Sequence, residues 1–334
     1  MDGDVARRRA AASRGRAVSA PHVSVVIPTR DRWPLLSESA LRSALAQQGV
    51  DLEVIVVDDG SRDETPDRVS GLGDSRVRLV RHESSLGVAA ARNAGIAEAR
   101  GTWIALLDDD DLWAPTKLAR QLEAARASGA DFVYCGALVL DERRRVIELS
   151  PAPAADGLHA ELLRHYVIPA GASNVTATAA LLQQVGGFDQ RLSYLADWDM
   201  WLRLAAGGRA ASLADFLVAY VRHPGRMLVA FDDVLRELDH VLAKHADEGL
   251  RIDPSRLVAW VAYQHRQAGR RAVAAAMFAR SAVRFRRPRH AMRAGAALLD
   301  GPVAAAVRRL VRGPSEIVPP PEPAWLAGVR GEPR

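Results

Sequence analysis

An alternation constrains this chain more than any other feature. Short strand-forming runs recur at 22–27 (His-Val-Ser-Val-Val-Ile), 52–57 (Leu-Glu-Val-Ile-Val-Val), 77–80, 103–107 (Trp-Ile-Ala-Leu-Leu) and 132–135, and helix-spaced apolar residues separate them. Pro34 stands at a helix start, with Leu35, Leu36, Ala40, Leu41, Ala44 and Leu45 following at helical spacing. Further helices are expected around Val69, from Gly87 to about Ala99, and over about 115–127. Repeated strand–helix–strand units imply right-handed crossovers, hence an α/β fold with a Rossmann-like, mainly parallel sheet flanked by helices. Pro28 is expected to end the first strand.

Open sheets of this kind bind ligands beyond the carboxyl ends of their strands. Three such ends carry unusual residues: Pro28-Thr29-Arg30, Asp58-Asp59-Gly60-Ser61 and Asp108-Asp109-Asp110-Asp111. The four adjacent aspartates repel one another, and a divalent cation would relieve that; Mg²⁺ typically takes one or two carboxylates plus substrate phosphates. A solvated acidic turn is the alternative. A carboxylate in Asp58-Asp59 is placed to accept hydrogen bonds from a ribose or a base, although Asp-Gly is also ordinary turn chemistry. Within Gly87-Val88-Ala89-Ala90-Ala91-Arg92-Asn93-Ala94-Gly95 the small residues suit close helix–sheet packing. Arg92 there either reaches a ligand phosphate or base, or pairs internally with an aspartate. Asp197, in Asp197-Trp198-Asp199-Met200-Trp201, sits at a helix start as N-cap or general base.

Past residue 140 the alternation fades. Residues 141–145 read as a hairpin turn, 173–178 as an extended segment, 179–185 as a helix ending at Gly186-Gly187, 197–206 as a helix and 213–221 as a strand. From 231 to 312 the pattern is helical.

These segments, in this order, resemble the family 2 glycosyltransferases. The matching residues are Ser24-Val25-Val26-Ile27-Pro28-Thr29-Arg30, Val56-Val57-Asp58-Asp59-Gly60-Ser61, Gly87 to Asn93, Leu107-Asp108-Asp109-Asp110-Asp111, Gly186-Gly187-Phe188-Asp189 and Asp197-Trp198. The resemblance spans about 22–225 and implies a GT-A type fold and inverting sugar transfer from a nucleotide-diphospho-sugar. It implies nucleotide-sugar contacts at Pro28, Thr29, Asp58, Asp59, Arg92, Asp108 and Asp109. It also implies a divalent metal, Mg²⁺ or Mn²⁺, at Asp110 and a catalytic base at Asp197. Ala196 stands where the family usually has Glu, and Ser85 where Asn often precedes Leu-Gly. His223 stands where some relatives contact the diphosphate or metal; a surface role is the other reading. The acceptor implied is a glycan or a lipid-linked sugar in cell-surface polysaccharide or glycolipid synthesis. A nucleotidyltransferase of related fold would want a Gly-rich basic loop after the first strand, which Pro28-Thr29-Arg30-Asp31 does not provide.

Charge divides the chain. Residues 1–20 carry +3, 251–313 carry +12 with fourteen Arg, 314–334 carry −1, and the body 21–250 carries −9. The expected organisation is a disordered basic arm (1–20), a transferase domain with nucleotide half 21–135 and acceptor half 136–225, a basic helical extension (226–313) and a disordered tail (314–334). The basic helices either dock on the acidic body or contact an anionic membrane surface. A non-catalytic nucleic-acid binder would also use them, but no finger spacing or RNA-binding aromatic motif accompanies them and no nucleic acid is expected. One cysteine, Cys135, excludes an internal disulfide framework. With no signal peptide and no long apolar span in this sequence, a cytoplasmic location, peripheral at the inner face of the membrane, is the expectation.

Overall fold

A computed structural model describes residues 22–222, 230–299 and 322–329. The expected basic arm 1–20, His223, and the stretch holding Arg308, Arg309 and Arg312 lie outside the described residues.

The first half follows the alternation closely. Strands β1 (Val23–Thr29), β2 (Leu52–Asp58), β3 (Val77–Arg81) and β4 (Trp103–Leu106) lie in the order β3-β2-β1-β4, all parallel. Helix α1 runs Trp33–Leu36, passes through a π-helical Ser37–Leu41 and ends with Arg42–Leu45; α2 (Thr65–Ser70), α3 (Val88–Glu98) and α4 (Lys117–Ser128) follow. Pro28 does not end β1, which continues to Thr29. Thr29 O accepts from Asp59 N and Val26 O from Leu107 N, so Pro28 faces the β4 side, where pairing already ends at Val26–Leu106. The missing N–H therefore costs no ladder bond.

The second half is where the sheet turns mixed. β8 (Thr176–Thr178) is antiparallel to both β4 and β6 (Phe132–Leu140). β6 runs parallel to β9 (Ala210–Val221) and antiparallel to β7 (Val146–Ser150), and the two-residue β5 (Leu112–Trp113) pairs antiparallel with β9. β5 escapes sequence reading because two residues give no period. The remaining helices of the body are α5 (Leu158–Leu162), α6 (Ala179–Gln184) and α7 (Ala196–Gly207).

Alternation along β1 sends Val26 into one core with Ile55, Ile104, Leu106, Trp198 and Trp201, and Val25 and Ile27 into another with Leu36, Leu41, Trp113 and Leu118. Helix α3 lies so close that a Cβ at Gly95 would fall 2.3 Å from a Val26 methyl. The small-residue run before it serves that approach.

The C-terminal helices are α8 (Phe231–Lys244), α9 (Pro254–Gln267), α10 (Arg271–Arg284) and α11 (Pro288–Leu298). They close a core of their own around Phe231, Val234, Val258, Met277 and Phe278, while Leu238 and Val241 of α8 join the body's core. Of their arginines, Arg280 pairs with Asp232, in the acidic stretch 21–250, whereas Arg287 pairs with Asp253 at the start of α9. The tail is also corrected. Helix α12 (Ala324–Val329) buries Leu326 against Leu112, Leu138, Leu140, Val146 and Ala219, and Trp325 donates to Phe216 O. The Pro-rich composition before it hid two apolar anchors that need a partner surface to be recognised. Leu326→Ala is expected to lower unfolding stability by about 2–3 kcal/mol, near the lower end for buried leucine truncations because a short helix settles readily. Urea midpoints read this directly. Among the described residues no helix is long and apolar enough to cross a membrane.

Candidate active site

The carboxyl ends of β1, β2 and β4 and the start of α7 converge on one rim. Asp58, at the end of β2, is fully buried; its Oδ1 accepts from Ser61 N at 3.1 Å. Arg81 Nε stands 3.2 Å from its Oδ2. That oxygen accepts no hydrogen bond among the described residues and faces the Arg81 charge alone. Asp59 behaves differently. Its two oxygens meet His82 Nδ1, Ser85 Oγ, Leu86 N and Gly87 N at 2.6–2.9 Å. Burial opposes its charge, yet these bonds hold its carboxyl below the usual range. Asp59 thus pins the loop that opens α3, and Ser85 supplies a polar partner at the position where Asn often stands. Gly60 (φ +75°) allows that loop its close approach, since a Cβ there would sit 2.7 Å from the Ser84 carbonyl carbon.

The four aspartates are dispersed by the fold. Asp109 is buried, accepting from Thr29 Oγ1 at 2.7 Å and Arg32 Nη1 at 3.0 Å. Burial and the charge of Asp110 push its carboxyl up to about 7, against the pull of Arg32 and Thr29. Asp110 meets the same Arg32 nitrogen at 3.1 Å. Asp111 is fully buried and accepts from Ser173 Oγ and Val221 N; burial and the neighbouring aspartates lift its carboxyl well above the usual range. Asp108 accepts from Arg92. Pro28 lies in the strand beneath this rim. Sequence reading missed Arg32 and Ser173; the need of four adjacent carboxylates for cationic partners pointed towards Arg32, one turn along the same rim.

Arg92 links the two halves. It is buried on α3, with Nη2 2.6 Å from Asp108 Oδ1 and Nη1 2.8 Å from Asp197 Oδ1, and its guanidinium lies 5.1 Å from the Phe188 ring centre. Burial opposes its charge, but the two carboxylates hold it charged beyond ordinary arginine. Its Nε is buried without a hydrogen bond among the described residues. Of the two roles open from the sequence, pairing with aspartates is the one present here.

Asp197 lies in the first turn of α7. It is not the N-cap, a position held by Leu195's backbone. Its Oδ2 accepts from Ala172 N at 3.1 Å, so both oxygens are oriented. Burial raises the carboxyl most; Arg92 draws it back, Asp108 pushes it up again, and it ends above the ordinary range. Gly171 (φ +51°) makes the approach possible, because a Cβ there would stand 2.6 Å from Asp197 Oδ2. Asp199, two residues on, is fully buried beneath the helix and bonded to Arg203, Lys244 and His245. Ala196, where Glu is usual, packs into the core.

One sheet rim thus gathers a buried acid at the end of β2, an aspartate run and, opposite it, a raised carboxyl. The family model "Glycosyl transferase family 2" matches residues 24–168, and the fold is of the GT-A type. It is similar to the succinoglycan biosynthesis protein ExoO of Rhizobium meliloti, 54% identical over 91 residues, 27% of this chain and 26% of that protein. It is also similar to a UDP-Glc:alpha-D-GlcNAc-diphosphoundecaprenol beta-1,3-glucosyltransferase, WfaP of Escherichia coli, 26% identical over 60% of this chain and 77% of that one. Among solved structures, mannosyltransferase PcManGT from Pyrobaculum calidifontis, in complex with GDP-Man and Mn²⁺, superposes with a TM-score of 0.53 at 22% identity. That match covers 87% of this chain and 79% of the other. The chain spans only about a quarter of ExoO's length.

Proposed function

We propose that this protein transfers a sugar from a nucleotide-diphospho-sugar to an acceptor hydroxyl, with inversion, during polysaccharide or glycolipid synthesis. The observation that carries the reading is the Arg92 bridge. It joins Asp108, at the end of the nucleotide-binding half, to Asp197, the raised carboxyl facing it. Asp58 Oδ2, buried without a hydrogen bond, is the expected nucleoside contact. Thr29 and Asp109 hold each other beneath the donor site. Asp197 accepts the proton of the acceptor hydroxyl while that oxygen bonds to the anomeric carbon and the nucleoside diphosphate departs with the bonding pair. One base suffices for a single inverting displacement, and a carboxyl held above its ordinary value is a stronger base for that transfer.

The PcManGT complex with Mn²⁺ supports divalent metal use. Among the described residues no group of three or more His, Cys, Asp or Glu is arranged to hold an ion. The residues fit a shared site, in which Asp110 supplies a hard carboxylate oxygen and the donor phosphates the others. When bound, the ion would neutralise charge developing on the leaving diphosphate. Arg32, on Asp110 already, supplies positive charge from the chain itself. Asp110→Asn is expected to weaken the Mn²⁺-dependent part of nucleotide-sugar binding by about 10–100-fold. Calorimetric titration with and without Mn²⁺ checks it, and near-wild-type metal dependence would remove Asp110 from the site.

Gly171→Ala is expected to displace Asp197, lowering turnover by up to about 10²-fold, the scale associated with a 1 Å misplacement. Donor affinity should hardly change. The reading as a whole is tested by a thermal-shift screen of nucleotide-sugars with Mn²⁺, since a ligand that binds the native state raises Tm. A raised Tm with one nucleotide-sugar, followed by its turnover, supports the proposal. Binding without turnover on any supplied acceptor or water counts against it.

A further inference from the structure

Helix α11 packs against α10 through one side only, with His290 and Ala297 buried. At 100° per residue, its opposite side is formed by Pro288, Ala291, Met292, Gly295, Leu298 and the following Leu299. All are exposed, with Met292 at 58% and Leu298 at 57%. A helix that turns its apolar arc outward needs another surface to cover it. Val283, near the end of α10, is 82% exposed as well.

The charge around this arc narrows the choice. Arg289 and Arg293 flank it on the helix, and Arg284 and Arg286 lie in the turn before it, where Arg287 is paired with Asp253. From Pro254 to Leu299 there are ten arginines and no Asp or Glu. A second copy of this face would set arginine clusters against each other, which disfavours pairing copies through it. An anionic lipid surface meets both requirements at once, taking apolar side chains into the acyl boundary and arginines at the headgroups.

We propose that α11 is an interfacial membrane helix, seated on anionic lipid through Met292, Leu298 and Leu299 and held there by Arg284, Arg286, Arg289 and Arg293. The active-site rim would then work beside a membrane, where lipid-linked acceptors lie. Vesicle binding needs no donor, so this proposal stands or falls separately from sugar transfer.

The test is co-sedimentation of the full chain with vesicles of phosphatidylcholine containing phosphatidylglycerol, and with phosphatidylcholine alone. Binding should require the anionic lipid and fall steeply as salt rises from 50 to 500 mM. Met292→Ser/Leu298→Ser/Leu299→Ser should weaken binding at least tenfold, and Arg289→Gln/Arg293→Gln similarly. Both sets are surface changes, and their unaltered melting curves are part of the test. Two outcomes overturn the proposal. One is recovery of the wild type in the supernatant with anionic vesicles at low salt. The other is unchanged sedimentation of the triple-serine variant, which would leave arginine charge as the whole attraction. A dimer dispersed by the triple-serine change, with no vesicle binding, would equally overturn it in favour of a second copy.

Discussion

Asp197→Asn is expected to lower turnover by roughly 10²–10⁴-fold while nucleotide-sugar affinity stays near that of the wild type. That range is the usual contribution of a positioned general base. Asparagine keeps the shape of the side chain and still accepts from Ala172 N or Arg92, so the local fold is retained. What it loses is proton-accepting capacity at the acceptor hydroxyl. Single-turnover kinetics with saturating donor, beside donor titrations, separate the two quantities. The pH profile should change too. Because the carboxyl sits above its ordinary value through burial and the charge of Asp108, wild-type turnover should fall off on the acid side at higher pH than an ordinary aspartate would dictate. An equal loss in Asp199→Asn with Asp197→Asn near normal would move the base two residues along.

Asp199→Ala is expected to cost about 3–5 kcal/mol of stability, the range for removing one partner of a buried ion pair. The carboxylate is fully buried, with Arg203 on Oδ2, and Lys244 and His245 on Oδ1 at 2.8 and 3.0 Å. It thereby ties α7 to α8, the helix that anchors the extension. Lys244 also meets Asp189, and His245 meets Glu248, so the lower part of the range is expected. Burial opposes the charge of Asp199, but His245, Arg203 and Lys244 hold its carboxyl down at about 2. Its contribution is therefore present above the unfolded value of 3.8 and is lost as pH falls towards 2. His245 has the opposite sign. Burial lowers its pKa, yet Asp199 and Glu248 raise it on balance. Its contribution is complete below the unfolded value of 6.5 and is lost as pH rises through the higher folded value. Wild-type melting temperature should thus decline on both sides of mildly acidic pH, and Asp199→Ala should flatten both limbs.

The pairing of residues across the site explains what was legible in advance. Strands β1, β2 and β4 announce themselves through short, mostly apolar runs, because a strand buried on both faces is apolar at most positions; the buried Ser24 and Glu53 are exceptions that bond each other. Their carboxyl ends follow from the topology, and so do Asp58, Asp108 and Asp110 at the rim. Asp59 was legible as a rim residue but not in its role, since four hydrogen-bond donors from 82–87 reach it only after β3 has brought that loop back. Arg92 was visible as the strongly basic residue of a small-residue helix. Its choice between ligand and aspartates depended on distances across 105 residues of chain.

The sequence alone determined the parallel half of the sheet, the order of the motifs and the helical pattern after residue 230, because these rest on local periodicity and composition. Tertiary structure alone decided the mixed half, where β8 and β5 are three and two residues long and owe their place to neighbours rather than to pattern. It also decided that four repelling aspartates are separated by Arg32, Arg92, Thr29 and Ser173, that Leu326 has a pocket to fill, and that the apolar side of α11 faces outward. The physical reason is common to all of these. Hydrogen bonds, ion pairs and burial between residues far apart in the chain act over a few ångströms, and only folding brings those groups within that reach.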